Sequence, residues 1–215
     1  PYFSTFLNGF APTKISKFPL LIRFLLYWQP IIKYDIMWTL LGGLEMIKKI
    51  QAFDLYLFQK LNQKTFPKWL DHFMIFMSYI GNCGYFWLFV TAYFYYGAPP
   101  RQEGIKLFLV LIFATLLGQV MIKPIVKRKR PCHVHNIPLK IKMPKDYSFP
   151  SGHTMSSFAC VIIILNYNPF LGILSLLVGL GIAVSRIYLN VHYFSDVFCG
   201  ALLGLLVGWC LILWF

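Results

Sequence analysis

The sequence FSDVFCGALLGLLVGWCLILWF, residues 194–215, decides the fold class. Its only charged side chain is Asp196, near its start, and its length matches the roughly 20 apolar residues that a helix needs to cross a bilayer. Gly200, Gly204 and Gly208 recur at every fourth position, and this spacing lets a second helix pack closely against the first. The stretch is therefore predicted to be a membrane helix with a packed glycine face.

The whole chain is too apolar for an ordinary soluble domain. Of its 215 residues, 58% are hydrophobic, 19% are aromatic and only 13% are charged. Earlier apolar runs cover residues 70–96, with a break at 81–84, and residues 105–122, 152–165 and 170–189. If the broken run forms two short helices, the chain is an all-α polytopic membrane protein, a six-helix transmembrane bundle with its active site at one membrane face. Lipid offers unpaired backbone groups no partner, and no alternating barrel pattern is evident.

The sequence divides into an N-terminal extension, residues 1–45, and a membrane domain, residues 46–215. Within the extension, KFPLLIRFLLYW (Lys17–Trp28) is interpreted as an interfacial amphipathic helix or as an additional membrane segment. A third hypothesis is that translation starts at Met46, which would make the preceding residues a non-native upstream segment.

The net charge of +13 is concentrated in one loop. Between Lys123 and Lys145 the chain has eight Lys or Arg residues, followed by a single acid, Asp146. Such a loop can set membrane topology, attract anionic lipid head groups or bind an anionic ligand at the membrane surface. Nucleic-acid binding is disfavoured, because the loop lacks interleaved aromatic residues and belongs to a membrane bundle.

Ionisable side chains are scarce in the C-terminal third of the chain. Tyr and Cys aside, residues 147–215 contain only His153, Arg186, His192 and Asp196, and all four fall at predicted helix ends. Charges in or beside hydrocarbon are costly and tend to mark function. Counting helix crossings places these ends on the side where the helix near Lys123 emerges. The residues predicted to share one membrane face are Lys123, Arg130, His153, Arg186, His192 and Asp196.

Three fixed cations in this set suit the charged oxygens of a phosphoryl group. Lys123, Arg130 and Arg186 can neutralise its charge, and guanidinium groups can bind its oxygens in pairs. The N–H groups around Ser151 and Gly152 open a helix, where the helix dipole favours an anion. The Ser151 hydroxyl can add a hydrogen bond, and Gly152 permits close backbone approach.

His192 and Asp196 are predicted to lie on one face of a helix, because they are four residues apart. The carboxylate can then hold one ring nitrogen and leave the other free as a nucleophile or base. Each residue also has a simpler interpretation. His153 can be an ordinary interfacial histidine, Asp196 a helix cap, and Arg186 a side chain that extends to the interface.

Three stretches together resemble the signature of the type-2 phosphatidic acid phosphatase superfamily, K-x6-RP, PSGH and SR-x5-H-x3-D. They are KPIVKRKRP (Lys123–Pro131), PSGH (Pro150–His153) and SRIYLNVHYFSD (Ser185–Asp196). The resemblance covers the chain from about Ile47 to the C-terminus, including the six-helix layout of the bacterial membrane members. The soluble vanadium-dependent haloperoxidases share the signature, but the apolarity of this chain disfavours them.

The resemblance implies a metal-independent phosphatase with no cofactor. His192 would attack phosphorus with help from Asp196, and His153 would protonate the leaving oxygen. The positions that would bind phosphate are Lys123, Arg130, Ser151, Gly152 and Arg186. A metal bound by the CHVH stretch, residues 132–135, is less favoured than a solvated loop.

We expect the substrate to be a lipid-linked phosphate or diphosphate. An isoprenoid diphosphate is favoured, and phosphatidic acid, phosphatidylglycerophosphate and lipid A are alternatives. From another class, the alternative is a non-enzymatic anion channel or transporter with a basic vestibule.

The resemblance to bacterial members suggests a plasma-membrane protein with an extracytoplasmic catalytic face, although the positive-inside rule applied to the basic loop argues the opposite. Cys83 and Cys132 would lie on the catalytic side, where they could pair. Membrane lipids are the expected surroundings, and the sequence does not predict an oligomeric state.

Overall fold

The computed structural model describes residues 43–97, 99–135 and 137–215. The chain divides into two compact units, Pro1–Gln51 and Ala52–Phe215. Of the first unit, residues 43–51 are described, and they are helical. The stretch Lys17–Trp28, for which an interfacial or membrane helix was predicted, lies outside the described residues.

The second unit is helical, and its described residues contain no β-strand, which confirms the all-α prediction. Its helices are α1 (52–62), α2 (Lys68–Ile80), α3 (Tyr85–Tyr96), α4 (Arg101–Thr115), α5 (Lys123–Val126), α6 (Pro131–His135), α7 (Gly152–Tyr167), α8 (Pro169–Tyr188) and α9 (Phe194–Trp214). A 3₁₀ turn, Asn82–Gly84, joins α2 to α3, and Gly84 ends it with a left-handed φ of 67° that suits glycine. A π-helical segment, Leu116–Ile122, joins α4 to α5.

Three described segments are long and apolar enough to cross a membrane: Arg101–His135, α8 and α9. The pair α2 and α3, bent by 55° at its break, gives up to a fourth. The predicted count of six spans is therefore not confirmed. The reason is length, because α2, α3 and α7 contain only 13, 12 and 16 residues, short of the roughly 20 needed for a perpendicular crossing.

Helix α7 is heavily buried and packs closely against α9. A Cβ atom added to Gly200 would lie 2.8 Å from the carbonyl oxygen of Ser151, and one on Gly208 would lie 2.8 Å from that of Ala159. Gly204, between them, faces the carbonyl of Met155 still more closely. This contact confirms the predicted glycine face and brings the start of α7 beside the start of α9.

Chain reversals bring the functional helix ends to one side. A single residue, Asn168, separates α7 from α8, and its side chain accepts a hydrogen bond from the Leu171 N–H at 3.0 Å. A helix cap of this kind fixes where the next helix begins. Because α8 runs antiparallel to α7 and the loop 189–193 leads directly into α9, the start of α7, the end of α8 and the start of α9 share one end of the bundle.

Candidate active site

Two buried cations of the predicted set meet at a single carboxylate. Lys123 and Asp146 form an ion pair, and Arg130 donates from Nη2 to Oδ1 of Asp146 at 2.7 Å. The Nε of Arg130 also donates to the Asp146 carbonyl oxygen at 3.0 Å. Lys123 follows directly on the π-helical segment, a distortion that often occurs at functional sites. Lys127, with a left-handed φ of 50°, then ends the short helix.

Asp146 is half exposed, and it stays ionised in this setting. Partial burial favours the neutral acid, but hydrogen bonds and charge from Lys123 and Arg130 outweigh it and lower the pKa of Asp146 to about 2. At neutral pH the negatively charged carboxylate of Asp146 therefore lies between the cations Lys123 and Arg130. The sequence showed Asp146 only as the lone acid of a basic loop, and its position was not predicted.

Arg186 supplies the third buried cation, at the end of α8. Its Nη1 donates to the hydroxyl of Ser78 on α2. Its Nε is buried and has no hydrogen-bond partner among the described residues. An unpaired buried guanidinium N–H is costly, so this nitrogen is available to an oxyanion.

His192 is fully buried beside Arg130, and its Nε2 lies 2.9 Å from Nη1 of Arg130. A guanidinium group can only donate hydrogen bonds, so Nε2 must be the acceptor and therefore unprotonated. The ring proton of the neutral imidazole then resides on Nδ1. Burial, together with the charges of Arg130, Arg186 and Lys123, lowers the pKa of His192 well below 6.5. The ring is thus neutral at neutral pH and carries its lone pair on Nε2.

The pairing of His192 with Asp196 differs from the prediction in one respect. Helix α9 begins at Phe194, so His192 lies in the preceding loop and not on the same helix as Asp196. Nδ1 of His192 is 3.7 Å from Oδ2 of Asp196, longer than a hydrogen bond. Oδ2 accepts a hydrogen bond from the Tyr193 N–H at 2.9 Å, so Asp196 also caps α9, as the simpler interpretation predicted.

Asp196 is held from two other directions by residues that the sequence did not single out as functional. The hydroxyl of Ser148 donates to Oδ2, and Nη1 of Arg128 donates to Oδ1 at 2.5 Å. Arg128 also donates to Asp54 of α1. The sequence contained one signal for Asp54, which is one of only seven acids in the chain.

His153 lies at the same site and faces a polar partner that was not predicted. Its Nε2 is 2.9 Å from Oδ1 of Asn82, in the turn between α2 and α3. Arg186, Arg130 and Lys123 are near enough to act electrostatically on its ring. The described geometry therefore brings His153 together with His192 and the three cations.

Ser151 and Gly152 lie at the start of α7 but are more constrained than expected. The Ser151 N–H donates to the carbonyl of Asp196 at 3.0 Å, so this N–H is not free for an anion. The Ser151 hydroxyl accepts from Thr154 at 3.0 Å and keeps its own proton to donate. Gly152 packs against Gln119 of the π-helical segment, where a Cβ atom would collide.

The chemistry of the site suits an oxyanion. In the described ranges no group of three or more His, Cys, Asp or Glu side chains could hold a metal ion. Cys132 is buried, and the side chain of its predicted partner, Cys83, lies outside the described part of the structure. Three cations and two imidazoles at one end of the bundle are groups that suit the binding of a phosphate.

Comparisons with known sequences agree with this chemistry. The sequence profile of the PAP2 superfamily matches residues 103–215. Undecaprenyl-diphosphatase of Sulfolobus acidocaldarius is 33% identical over 168 residues, which cover 77% of this chain and 78% of the relative. Phosphatidylglycerophosphatase B of Bacillus subtilis is 32% identical over 161 residues, covering 65% of this chain and 72% of the relative.

A solved structure shares the fold. The transmembrane PAP2 type phosphatidylglycerolphosphate phosphatase from Bacillus subtilis superposes with a TM-score of 0.65 at 22% sequence identity. The alignment covers 87% of this chain and 96% of the other.

Proposed function

This chain belongs to the PAP2 superfamily, and from that premise we propose that it hydrolyses a lipid-linked phosphate or diphosphate through a covalent bond between phosphorus and His192. Relatives named as phosphatases identify it as a hydrolase of phosphate esters, and its apolar helices make it an integral membrane protein. One observation carries the mechanism. The unprotonated Nε2 of His192 lies at 2.9 Å from Arg130 within a buried cluster of cations.

In the first step, the lone pair on Nε2 of His192 attacks phosphorus in line with the leaving oxygen. Lys123, Arg130 and Arg186 bind the non-bridging oxygens and stabilise the charge that develops on them, which is commonly the largest contribution in phosphoryl transfer. As the phosphorus–oxygen bond breaks, the protonated imidazole of His153 transfers one proton to the departing oxygen and becomes neutral. The products are the leaving group and a phosphohistidine.

In the second step, water attacks phosphorus and the phosphorus–nitrogen bond breaks. The bonding electrons return to Nε2 of His192, and the proton of the water passes to His153, which thereby recovers the proton it lost. The sum of both steps is hydrolysis, with inorganic phosphate as one product. Splitting one displacement into two lets the same cations serve both transition states.

Among substrates, an isoprenoid diphosphate is the first candidate. The relative named Undecaprenyl-diphosphatase, which matches most of this chain, supports it. Phosphatidylglycerophosphate is the second candidate, supported by the relative named phosphatidylglycerophosphatase B. Phosphatidic acid and lipid A are further members of the same chemical class.

The catalytic face is proposed to be extracytoplasmic, which puts Phe215, at the other end of α9, in the cytoplasm. The positive-inside rule applied to the basic loop argues for the opposite orientation. Lys123, Arg128 and Arg130 have another reason to be in this loop, because each pairs with a carboxylate at the site. A reporter fused after Phe215 tests the orientation, and an extracytoplasmic signal would contradict it.

Purified protein in detergent tests the activity. Inorganic phosphate release from a panel of lipid phosphates and diphosphates is measured with chelator present. We expect turnover in wild type and none in His192→Ala, with His133→Ala, an exposed histidine of α6, as the matched control. Labelled substrate should leave acid-labile radioactivity on wild type only. A requirement for an added divalent ion would contradict the mechanism, and anion flux without hydrolysis would indicate a channel.

A further inference from the structure

Arg128 joins two buried carboxylates that belong to different helices. Its Nη1 donates to Oδ1 of Asp196 at 2.5 Å, and its Nη2 donates to Oδ2 of Asp54 at 2.7 Å. Asp196 is 0% exposed and Asp54 is 1% exposed. Arg128 occupies a variable position between Lys123 and Arg130 of the signature, so the signature assigns it no role.

Ser195 also belongs to this cluster, in which every carboxylate oxygen of Asp54 and Asp196 accepts a hydrogen bond. The Ser195 N–H donates to Oδ1 of Asp54 at 2.9 Å, and its hydroxyl accepts from Nη1 of Arg128 at 2.7 Å. On Asp196, Oδ2 already accepts from Ser148 and from the Tyr193 N–H. All four carboxylate oxygens therefore have donors, and a buried network of this kind fixes one geometry.

This network orients the carboxylate of Asp196 toward His192, the proposed nucleophile. With Oδ1 of Asp196 bound to Arg128, the plane of the carboxylate is set, and Oδ2 faces Nδ1 of His192 at 3.7 Å. We infer that Arg128, itself held by Asp54, is a positioning residue that sets the orientation and net charge of Asp196 toward His192. The inference rests on the function proposed above, because it assigns Asp54 and Arg128 to the phosphohistidine reaction.

Charge explains why a second carboxylate is present. Arg128 alone would neutralise Asp196, whereas two carboxylates and one guanidinium leave a net charge of −1. The imidazole of His192 becomes cationic when Nε2 bonds phosphorus, and its Nδ1–H then faces this negative cluster. Asp54 thus preserves the favourable field at His192 without touching the reacting atoms.

Two conservative variants test the inference. Asp54→Asn keeps the shape and an acceptor for the Ser195 N–H but removes the charge. Arg128→Lys keeps the charge but cannot bind both carboxylates through one planar fork. Glu103→Gln is the matched control, because Glu103 is also a partly buried acid, paired with Lys106 at 2.8 Å on α4, and has no contact with this cluster.

We expect kcat on a lipid diphosphate to fall about 10–100-fold in both variants, by analogy with residues that orient the ligands of metal sites, with a much smaller change in KM. The double variant should lose little more than the single ones, since both residues act through one network. Independently of turnover, ¹⁵N-histidine NMR should show the Nδ1–H tautomer of His192 in wild type. That population should decrease in both variants and persist in Glu103→Gln.

Unchanged kcat in Asp54→Asn and Arg128→Lys would overturn the inference, as would an unchanged His192 spectrum or equal losses in the control. If Arg128→Lys does not elute as a folded species, Asp54→Asn decides the question, since it is nearly isosteric. If wild type releases no phosphate from any lipid, the proposed function fails. The NMR comparison still decides whether Arg128 and Asp54 position Asp196.

Discussion

Arg130 donates from Nη2 to Oδ1 of Asp146 at 2.7 Å while its Nη1 lies 2.9 Å from Nε2 of His192. One guanidinium thus touches both an acidic side chain and the proposed nucleophile. A phosphoryl group that binds between them must compete with Asp146 for Arg130 and for Lys123. In the proposed function a phosphate oxygen would carry the same sign of charge as this carboxylate and would need the same donors.

Asp146→Asn should therefore strengthen vanadate inhibition, because a competing negative charge is removed. The inhibition constant should fall about 10-fold if removing this competition is worth about 1.4 kcal/mol of binding free energy.

The Asp146→Asn variant should also unfold more easily at neutral pH. A carboxyl whose pKa falls from 3.8 to about 2 on folding stabilises the native state above pH 3.8, and this contribution is lost as the pH falls through about 2. Inhibition constants and unfolding midpoints provide the measurements, and Asp71→Asn, an acid paired with Lys140, is the control for the inhibition constants. Weaker vanadate inhibition would mean that Asp146 aligns Arg130 and does not compete.

The pH dependence of kcat/KM should reflect a desolvated nucleophile. Burial and three neighbouring cations lower the pKa of His192 well below 6.5, so the ring stays neutral and reactive on the acid side of that value. The acid limb of kcat/KM, which reports groups of the free enzyme, is expected well below pH 6.5. Asp146 does not contribute there, because it titrates near pH 2. An acid limb at or above pH 6.5 would contradict a buried neutral His192.

The lowered pKa of His192 also makes the stability of the fold depend on pH. The unfolded chain binds a proton at His192 near pH 6.5, whereas the folded chain does not. This residue therefore reduces the free energy of unfolding as the pH falls below 6.5, and His192→Gln should remove that part of the dependence. Equal pH slopes for wild type and variant would contradict the shift.

His153→Ala should be sensitive to the leaving group, because a general acid helps most when the departing oxygen is strongly basic. A phosphate monoester released from a diphosphate leaves more easily than a lipid alcohol released from a monophosphate. We expect a smaller fractional loss of kcat/KM on an isoprenoid diphosphate than on phosphatidic acid. Total losses of about 10²–10⁴-fold are typical of general acid–base catalysis. Equal losses on both substrates would remove the assignment of His153 as the acid.

Gly204→Leu should destabilise the bundle, since a side chain there would press on the Met155 carbonyl and lie 3.0 Å from the Ala159 nitrogen. Overpacking of this kind typically costs about 1–3 kcal/mol or more. Separation of α9 from α7 should also lower activity, because Asp196 and Ser151 meet at this contact. Thermal unfolding in detergent measures the loss, with Leu202→Phe on the exposed side of α9 as control. Wild-type stability for Gly204→Leu would show that the two helices can move apart freely.

The sequence by itself determined the membrane character, the all-α class and the residues that gather at one end of the bundle. Charged side chains are costly in lipid, so the few that remain in the last third of the chain are informative. The parity of helix crossings then placed Lys123, His153, Arg186 and Asp196 together. The glycine spacing of α9 predicted its close contact for a similar reason, because periodicity along one helix is a local property.

Only the tertiary structure decided which groups contact these residues and which protonation state His192 adopts. Asp54, Asn82 and Asp146 contact the site from loops and helices distant in sequence, and no local pattern encodes such contacts. The start of α9 at Phe194 moved His192 into a loop, since a cap depends on which acceptor the fold supplies. The tautomer of His192 follows from Arg130, which contacts Nε2, and from the carboxylate of Asp196, which faces Nδ1. The number of membrane spans was likewise not fixed by hydropathy, which counted α2, α3 and α7 as membrane helices although they contain only 13, 12 and 16 residues.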